Sequence, residues 1–255
     1  MAESLRAAIG EGGRLVGTVL TLPGATAAEL LAEPFDVVWI DLEHAALGPL
    51  DAQEMILGAQ AARAYALVRI PVNAHPLMTV MLDAGADGVV LANVSDPQQA
   101  AAATQEVAHP PDGTRGWGPR RLALRRRRSG GTPPQPSVWA QIESAEGVSR
   151  AADIAAVAGI DALVVGTADL SFSLGVPLDG RAPELLRAIE EVRVASAAAG
   201  VAFGVAGALD RAPRAAYERA SILVHSTDSR ICAQAVDDAA AWLRSADPDQ
   251  ESATP

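Results

Sequence analysis

Short apolar runs rich in Val, Ile and Leu recur along the chain, and Ala-rich stretches of helical periodicity separate them. Continuous apolar runs of this kind, without polar alternation, fit strands buried on both faces of a parallel sheet. The pattern predicts strands at Leu15–Leu20, Val37–Asp41, Leu67–Ile70, Gly88–Leu91, Val138–Ile142, Ala162–Gly166, Ala202–Val205 and Ile222–Val224. Helices are expected at Asp51–Ala62, Pro76–Ala84, Gln98–Ala108, Ser149–Val157, Ala182–Ala199 and Ala212–Ala220. Gly85, Gly159 and Gly200 fall where helices should stop and reverse. Strands and helices alternating in this way predict the α/β class, a (β/α)8 TIM barrel forming a single domain over residues 1–246. The polar tail 247–255, DPDQESATP, is expected to be disordered.

One connection breaks the regularity. The segment from His109 to Ser137 is too long for a passive link, and part of it is expected to reach the face where barrel active sites form. It contains HPPDGTRGWGPRR, in which Gly113, Gly116 and Gly118 permit unusual backbone angles, followed by the run Arg125–Arg128. That run reads first as a solvated loop, with a subunit contact or a lid over an anionic substrate as alternatives.

Composition narrows the function. With 255 residues, 49% of them hydrophobic, the chain can bury one large core. A net charge of −11 argues against nucleic acid as the main partner. No apolar run is long enough for a membrane span, and the N-terminus does not read as a signal peptide. The one cysteine, Cys232, cannot form an internal disulfide, reads as a buried structural thiol and suits the cytoplasm. All twenty basic residues are arginine. Without a lysine the chain can form neither a Schiff base with a ketone substrate nor the lysine linkage of PLP catalysis. Carbanion chemistry here needs another electron sink, and a metal ion is the obvious candidate.

Barrel enzymes place their chemistry at the C-terminal ends of strands. Strand 2 ends in Asp41-Leu42-Glu43-His44, strand 3 at Arg69-Ile70-Pro71, strand 5 in Gln141-Ile142-Glu143, and strand 6 runs into Gly166-Thr167-Ala168-Asp169. Gln141 and Glu143, two apart on one strand, face the same side, where Asp169 can meet Glu143. Two carboxylates completed by water and substrate oxygens suit Mg2+ or Mn2+, with Co2+ a further candidate. The plainer alternatives are that Glu143 pairs with an arginine and that Asp169 caps the following helix. His44 is a candidate general base, or a hydrogen-bonded structural residue. Arg69, in a buried strand, needs a partner, and could bind a carboxylate or stabilise an enolate oxygen. His75, His109 and His225 are weaker candidates.

The stretches FDVVWIDLEHA, ALVRIPVN, MLDAGADGVVLANV, HPPDGTRGWG, VWAQIESAEGV and GIDALVVGTADLSFSLG together resemble the HpcH/HpaI aldolase family, within the pyruvate-enolate barrel superfamily. The resemblance implies a metal-dependent aldolase that reversibly cleaves a 4-hydroxy-2-oxo acid to pyruvate and an aldehyde through a metal-stabilised enolate. It makes His44 the general base, Arg69 the transition-state stabiliser, Gln141 a substrate contact, and Glu143 with Asp169 the metal ligands. Backbone N–H groups at Ala168 and Asp169 would take the pyruvate carboxylate, as helix starts favour anions. The resemblance also implicates Asp83 in raising the basicity of the histidine. Asp83 lies in the last turn of its predicted helix, at the opposite end of the barrel from His44. We therefore expect it to serve the His44 of a neighbouring subunit in a homo-oligomer, a trimer or hexamer, unless it is an exposed surface aspartate. Two features depart from the pattern: the basic run Arg120–Arg128, and the absence of the glycine usual in Val224-His225-Ser226-Thr227-Asp228.

The nearest rival is a Claisen-type citryl- or malyl-thioester lyase, or an oxaloacetate-using synthase, on the same barrel. It would share Arg69, Glu143 and Asp169, and Arg125–Arg128 could bind the phosphates of CoA. A barrel that had lost catalysis should lack one of His44, Arg69, Glu143 or Asp169, and all four are present.

Overall fold

The computed structural model describes residues 4–71, 73–118, 121, 123–124 and 135–245. The run Arg125–Arg128 and the tail 247–255 lie outside these residues. Eight parallel strands close in sequence order into a barrel: β1 (Leu15–Leu20), β2 (Val37–Asp41), β3 (Tyr65–Pro71), β4 (Gly88–Ala92), β5 (Ser137–Ile142), β6 (Ala162–Gly166), β7 (Ala202–Gly207) and β8 (Ile222–Thr227). All eight coincide with the predicted runs to within a few residues. β2, β4, β5 and β6 are buried along their whole length, because side chains on one face fill the barrel and those on the other meet helices.

The helices are α1 (Leu5–Gly10), α2 (Ala25–Ala32), α3 (Pro49–Ala61), α4 (His75–Asp83), α5 (Pro97–Val107), α6 (Ala145–Ser149), α7 (Ala151–Ala155), α8 (Thr167–Leu174), α9 (Pro183–Ala199) and α10 (Asp228–Ser245). Two differ from expectation. The stretch Ser149–Val157 is broken at Arg150, which caps both α6 and α7 and leaves helical geometry (φ −108°). The stretch Ala212–Ala220 holds only a 3-10 turn at Arg214–Ala216. Its alanines favour a helix, but Pro213 in extended geometry restricts the start to a single turn. Gly85, Gly159 and Gly200 all take positive φ, as their helix-stopping role requires.

The barrel interior is filled by Val37, Leu67, Val164, Val224 and the edge-to-face pair Trp39 and Trp139, whose ring centroids lie 6.1 Å apart. Leu5 of α1 joins this cluster at the end where the strands begin, and Arg6 fixes the helix there through Asp161 at 2.8 Å. Leu5 and the anchored α1 thereby cover the interior at the end where the strands begin. α10 behaves differently. Of its eighteen residues only Asp228 is buried, and Val236, Trp242 and Leu243 are each about two-thirds exposed. No helix among the described residues is long and apolar enough to cross a membrane.

The described part of the long connection after α5 packs at the closed end, not at the mouth. Arg115 pairs with Asp83 at the end of α4 (2.6 Å), and Arg121 donates to the Ala84 carbonyl. His109 holds the Arg115 carbonyl through Nδ1 and stacks on Trp117. Gly113, Gly116 and Gly118 do not take positive φ. Gly113 is instead needed for close approach, since a Cβ there would lie 2.3 Å from the Gln105 carbonyl oxygen.

Candidate active site

Barrel register brings the sequence candidates together at the open mouth. Asp41 and Arg69 are opposite one another on β2 and β3. Arg69 donates through Nε and Nη2 to the two oxygens of Asp41, at 3.0 and 2.6 Å, a fork-to-fork pair that fixes the guanidinium plane. Asp41 also accepts the backbone N–H groups of Glu43 and His44, which shapes the turn carrying both. Burial alone would raise the Asp41 carboxyl, but the Arg69 bonds and charge and these two N–H groups together hold it below its ordinary value. Burial also opposes the charge on Arg69, and the carboxylates of Asp41, Glu43 and Glu143 more than offset it. The buried arginine's need for a partner was legible in the sequence; that Asp41 supplies it required the register.

Glu43 is the residue the sequence reading left without a role. Its Oε2 lies 3.5 Å from both Arg69 Nε and His44 Nε2, at ion-pair distance, and is buried without a hydrogen-bond partner among the described residues. Burial raises its pKa, with Asp41 and Asp169 adding and Arg69 and His44 opposing. His44 itself stands in the mouth with its side chain 61% exposed, open to a bound ligand.

Across the mouth, Gln141 Nε2 donates to Glu143 Oε2 at 2.6 Å, as their shared face predicts. Glu143 is buried, and its carboxyl is pushed up to about 8 by burial first, then by the charges of Glu43 and Asp169. Arg69 and the Asn93 N–H oppose that shift without cancelling it. Among the described residues Glu143 has no direct arginine pair, and α8 is capped by Gly166 without a side-chain bond, so Asp169 is not consumed as a cap. Ala168 and Asp169 are exposed in the first turn of α8, where backbone N–H groups have no intrahelical acceptor. Gly166 is required beside them: a Cβ would lie 2.6 Å from both Gln141 Nε2 and Glu143 Oε2.

Asp83 is not part of this chain's own mouth. It is held by Arg115 on the flank, with its side chain 17% exposed, beside a cavity of about 480 Å3 lined by Leu50, Gln53, Val80 and Gly118. Cys232 is half-buried, more open than expected of a structural thiol.

Among the described residues, no group of three or more His, Cys, Asp or Glu side chains is placed to hold a metal by itself. Asp169 is near enough to raise the Glu143 carboxyl, and two such carboxylates would suit a divalent cation whose remaining positions water and ligand oxygens filled. Two further observations fit a cation there. The charges of Glu43 and Asp169 both act on Glu143, and the oxygens Gln141 Oε1 and Glu43 Oε2 are buried without hydrogen-bond donors among the described residues.

A closed (β/α)8 barrel with a forked arginine, an open histidine and an acidic pair at its mouth defines a class: a barrel carbon–carbon lyase. The chain belongs to the HpcH/HpaI aldolase/citrate lyase family, whose model matches residues 19–235. It is 35% identical over 215 residues to a 4-hydroxy-2-oxovalerate aldolase of Rhodococcus jostii, covering 78% of this chain and 81% of that one. It is 31% identical to a 4-hydroxy-2-oxo-heptane-1,7-dioate aldolase of Shigella flexneri, covering 94% and 93%. The crystal structure of a family member from Burkholderia cenocepacia superposes with a TM-score of 0.84 at 32% identity, covering 94% and 99%.

Proposed function

We propose that the protein is a divalent-metal-dependent pyruvate aldolase, reversibly cleaving a 4-hydroxy-2-oxo acid to pyruvate and an aldehyde. The observation that carries this reading is the facing pair of halves in one mouth: the Asp41-held Arg69 fork and the Glu143–Asp169 carboxylates. Glu143 and Asp169 would hold Mg2+, Mn2+ or Co2+, which when bound supplies a Lewis acid and electron sink at the keto oxygen. The N–H groups of Ala168 and Asp169 take the pyruvate carboxylate at the start of α8. Gln141 contacts substrate and, through its bond to Glu143, keeps that carboxylate oriented. His44 moves the proton that accompanies making or breaking the carbon–carbon bond. Arg69 stabilises the developing oxyanion with donors already fixed in place.

Proton exchange at the pyruvate methyl group, followed by NMR in D2O, tests this without assuming an aldehyde. The expected result is exchange with Mg2+ or Mn2+, suppressed by EDTA and by His44→Ala. Absence of exchange with every divalent metal would move the assignment to the Claisen-type rival in the same family.

Asp83 we assign to the His44 of a neighbouring copy, in a homo-oligomer such as a trimer or hexamer. Exposed Leu50, Val80 and Trp117 near Asp83, and the uncovered apolar residues of α10, support contact between copies. Mixing His44→Ala with Asp83→Ala protein is expected to restore activity, because some mixed interfaces hold both native residues. Failure of mixed oligomers to recover any activity would confine Asp83 to a structural role. The acidic balance and single cysteine support a small-molecule enzyme of the cytoplasm over a nucleic-acid or membrane partner.

A further inference from the structure

Asn93 follows β4 at the mouth, and its backbone departs from the strand before it. Its φ is 52°, in the left-handed region that few residues other than glycine adopt. In an extended strand successive N–H groups point to opposite sides. Here two successive N–H groups both turn towards β5. Val94 N donates to the Gln141 carbonyl at 3.0 Å, and Asn93 N donates to the Glu143 carboxylate. A left-handed residue beside ordinary backbone aims neighbouring N–H groups to one side in this way.

The turn is held from both sides, which is what keeps a strained backbone in place. Val94 is wholly buried, and its carbonyl lies against α6, where a Cβ at Gly147 would come within 2.7 Å of the oxygen. Asp96, which caps α5, accepts from Arg150 Nη1 at 3.1 Å. Asn93 itself is exposed between buried Ala92 and Val94, so packing does not select its side chain. Its φ does, since asparagine tolerates the left-handed region far better than a β-branched residue. Glu143 already accepts Gln141 Nε2 on Oε2 at 2.6 Å. The Asn93 N–H makes a second donor from a second strand end. A carboxylate offers about four acceptor positions, so the others remain for a cation. A ligand oriented before the metal arrives loses less freedom on binding it.

We propose that Asn93 is a positioning residue for Glu143: its left-handed backbone delivers an N–H that orients the carboxylate, and the carboxamide itself is dispensable. This rests on the reading of Glu143 as a metal ligand.

The test is Mn2+ affinity by calorimetric titration, with thermal denaturation of the same full-length proteins. Wild-type protein is titrated first. Asn93→Gly, which adopts the same φ freely, should bind Mn2+ as wild type does. Asn93→Val should bind about tenfold more weakly, the scale of losing a group that orients a metal ligand. Asn93→Ala, with a smaller steric penalty, should fall between them and serves if the valine variant does not fold. Arg63 provides a control for strain alone: its φ is 67°, and it lies between α3 and the start of β3, at the far end of the barrel. Arg63→Val should lower the Tm and leave Mn2+ affinity unchanged. In a Glu143→Gln background, Asn93→Val should weaken binding no further. Wild-type affinity in Asn93→Val overturns the proposal. Equal losses in Asn93→Gly and Asn93→Val overturn it as well, and assign the effect to the carboxamide. Absence of Mn2+ binding by the wild-type protein overturns the metal reading itself.

Discussion

Arg69→Ala is expected to lower kcat/KM for aldol cleavage on the order of a thousandfold, the scale of losing a fixed oxyanion donor in a desolvated site. The side chain is only 10% exposed and bound at both ends of its fork, so its position is fixed before substrate arrives. The same substitution should destabilise the fold by roughly 3–5 kcal/mol, since it strands the buried Asp41 carboxylate without its counter-charge. Arg69→Lys keeps a positive charge but loses the planar fork, so it should recover stability more fully than activity. Thermal denaturation and steady-state kinetics on both variants separate the two contributions. An Arg69→Lys protein with near wild-type kcat/KM would show that charge alone suffices and remove the oriented fork from the mechanism.

Much of this arrangement was legible in the sequence, for a physical reason. Strands of a closed parallel barrel are buried on both faces, so they stand out as short apolar runs, and polar residues at their ends are conspicuous. His44, Arg69, Gln141, Glu143 and Asp169 were found that way, and the structure brings all five to one mouth. Helix propensity was a poorer guide. It overextended Ala212–Ala220, where Pro213 limits the chain to one turn, and began the helix of α7 at Ser149, on the far side of the break at Arg150. What the sequence could not supply was distance across strands. The Asp41–Arg69 fork depends on register between β2 and β3, and the place of Glu43 between Arg69 and His44 depends on how its turn is held by Asp41. The tight fit of Gly166 against Gln141 and Glu143 leaves no mark in a glycine-containing strand end until those side chains are placed. The loop after α5 was expected from its length to reach the mouth in part, whereas α5 delivers its described portion to the closed end beside Asp83.

Glu143→Gln is expected to weaken Mg2+ or Mn2+ binding at least a hundredfold and to flatten most of its pH dependence. Without a cation, the Glu143 carboxyl is pushed up from 4.5 to about 8 by burial and by Glu43 and Asp169. Between these values the folded protein keeps a proton that the unfolded chain has released. Metal-free stability should therefore fall as pH rises through that window and level off above about 8. A cation must displace the same proton, so apparent metal affinity should rise by up to about tenfold per pH unit towards 8 and then flatten. Glutamine preserves the shape and leaves Gln141 a carbonyl to donate to, but removes the titrating charge. Both slopes should become much shallower in the variant while the fold persists, the remainder coming from the raised Glu43 carboxyl. Calorimetric titration of wild-type and variant protein at several pH values measures the affinity slope, and denaturation with and without metal measures the stability slope. A wild-type affinity that stays flat between about pH 6 and 8 would separate Glu143 from the metal site and leave its burial against Glu43 and Asp169 without a chemical purpose.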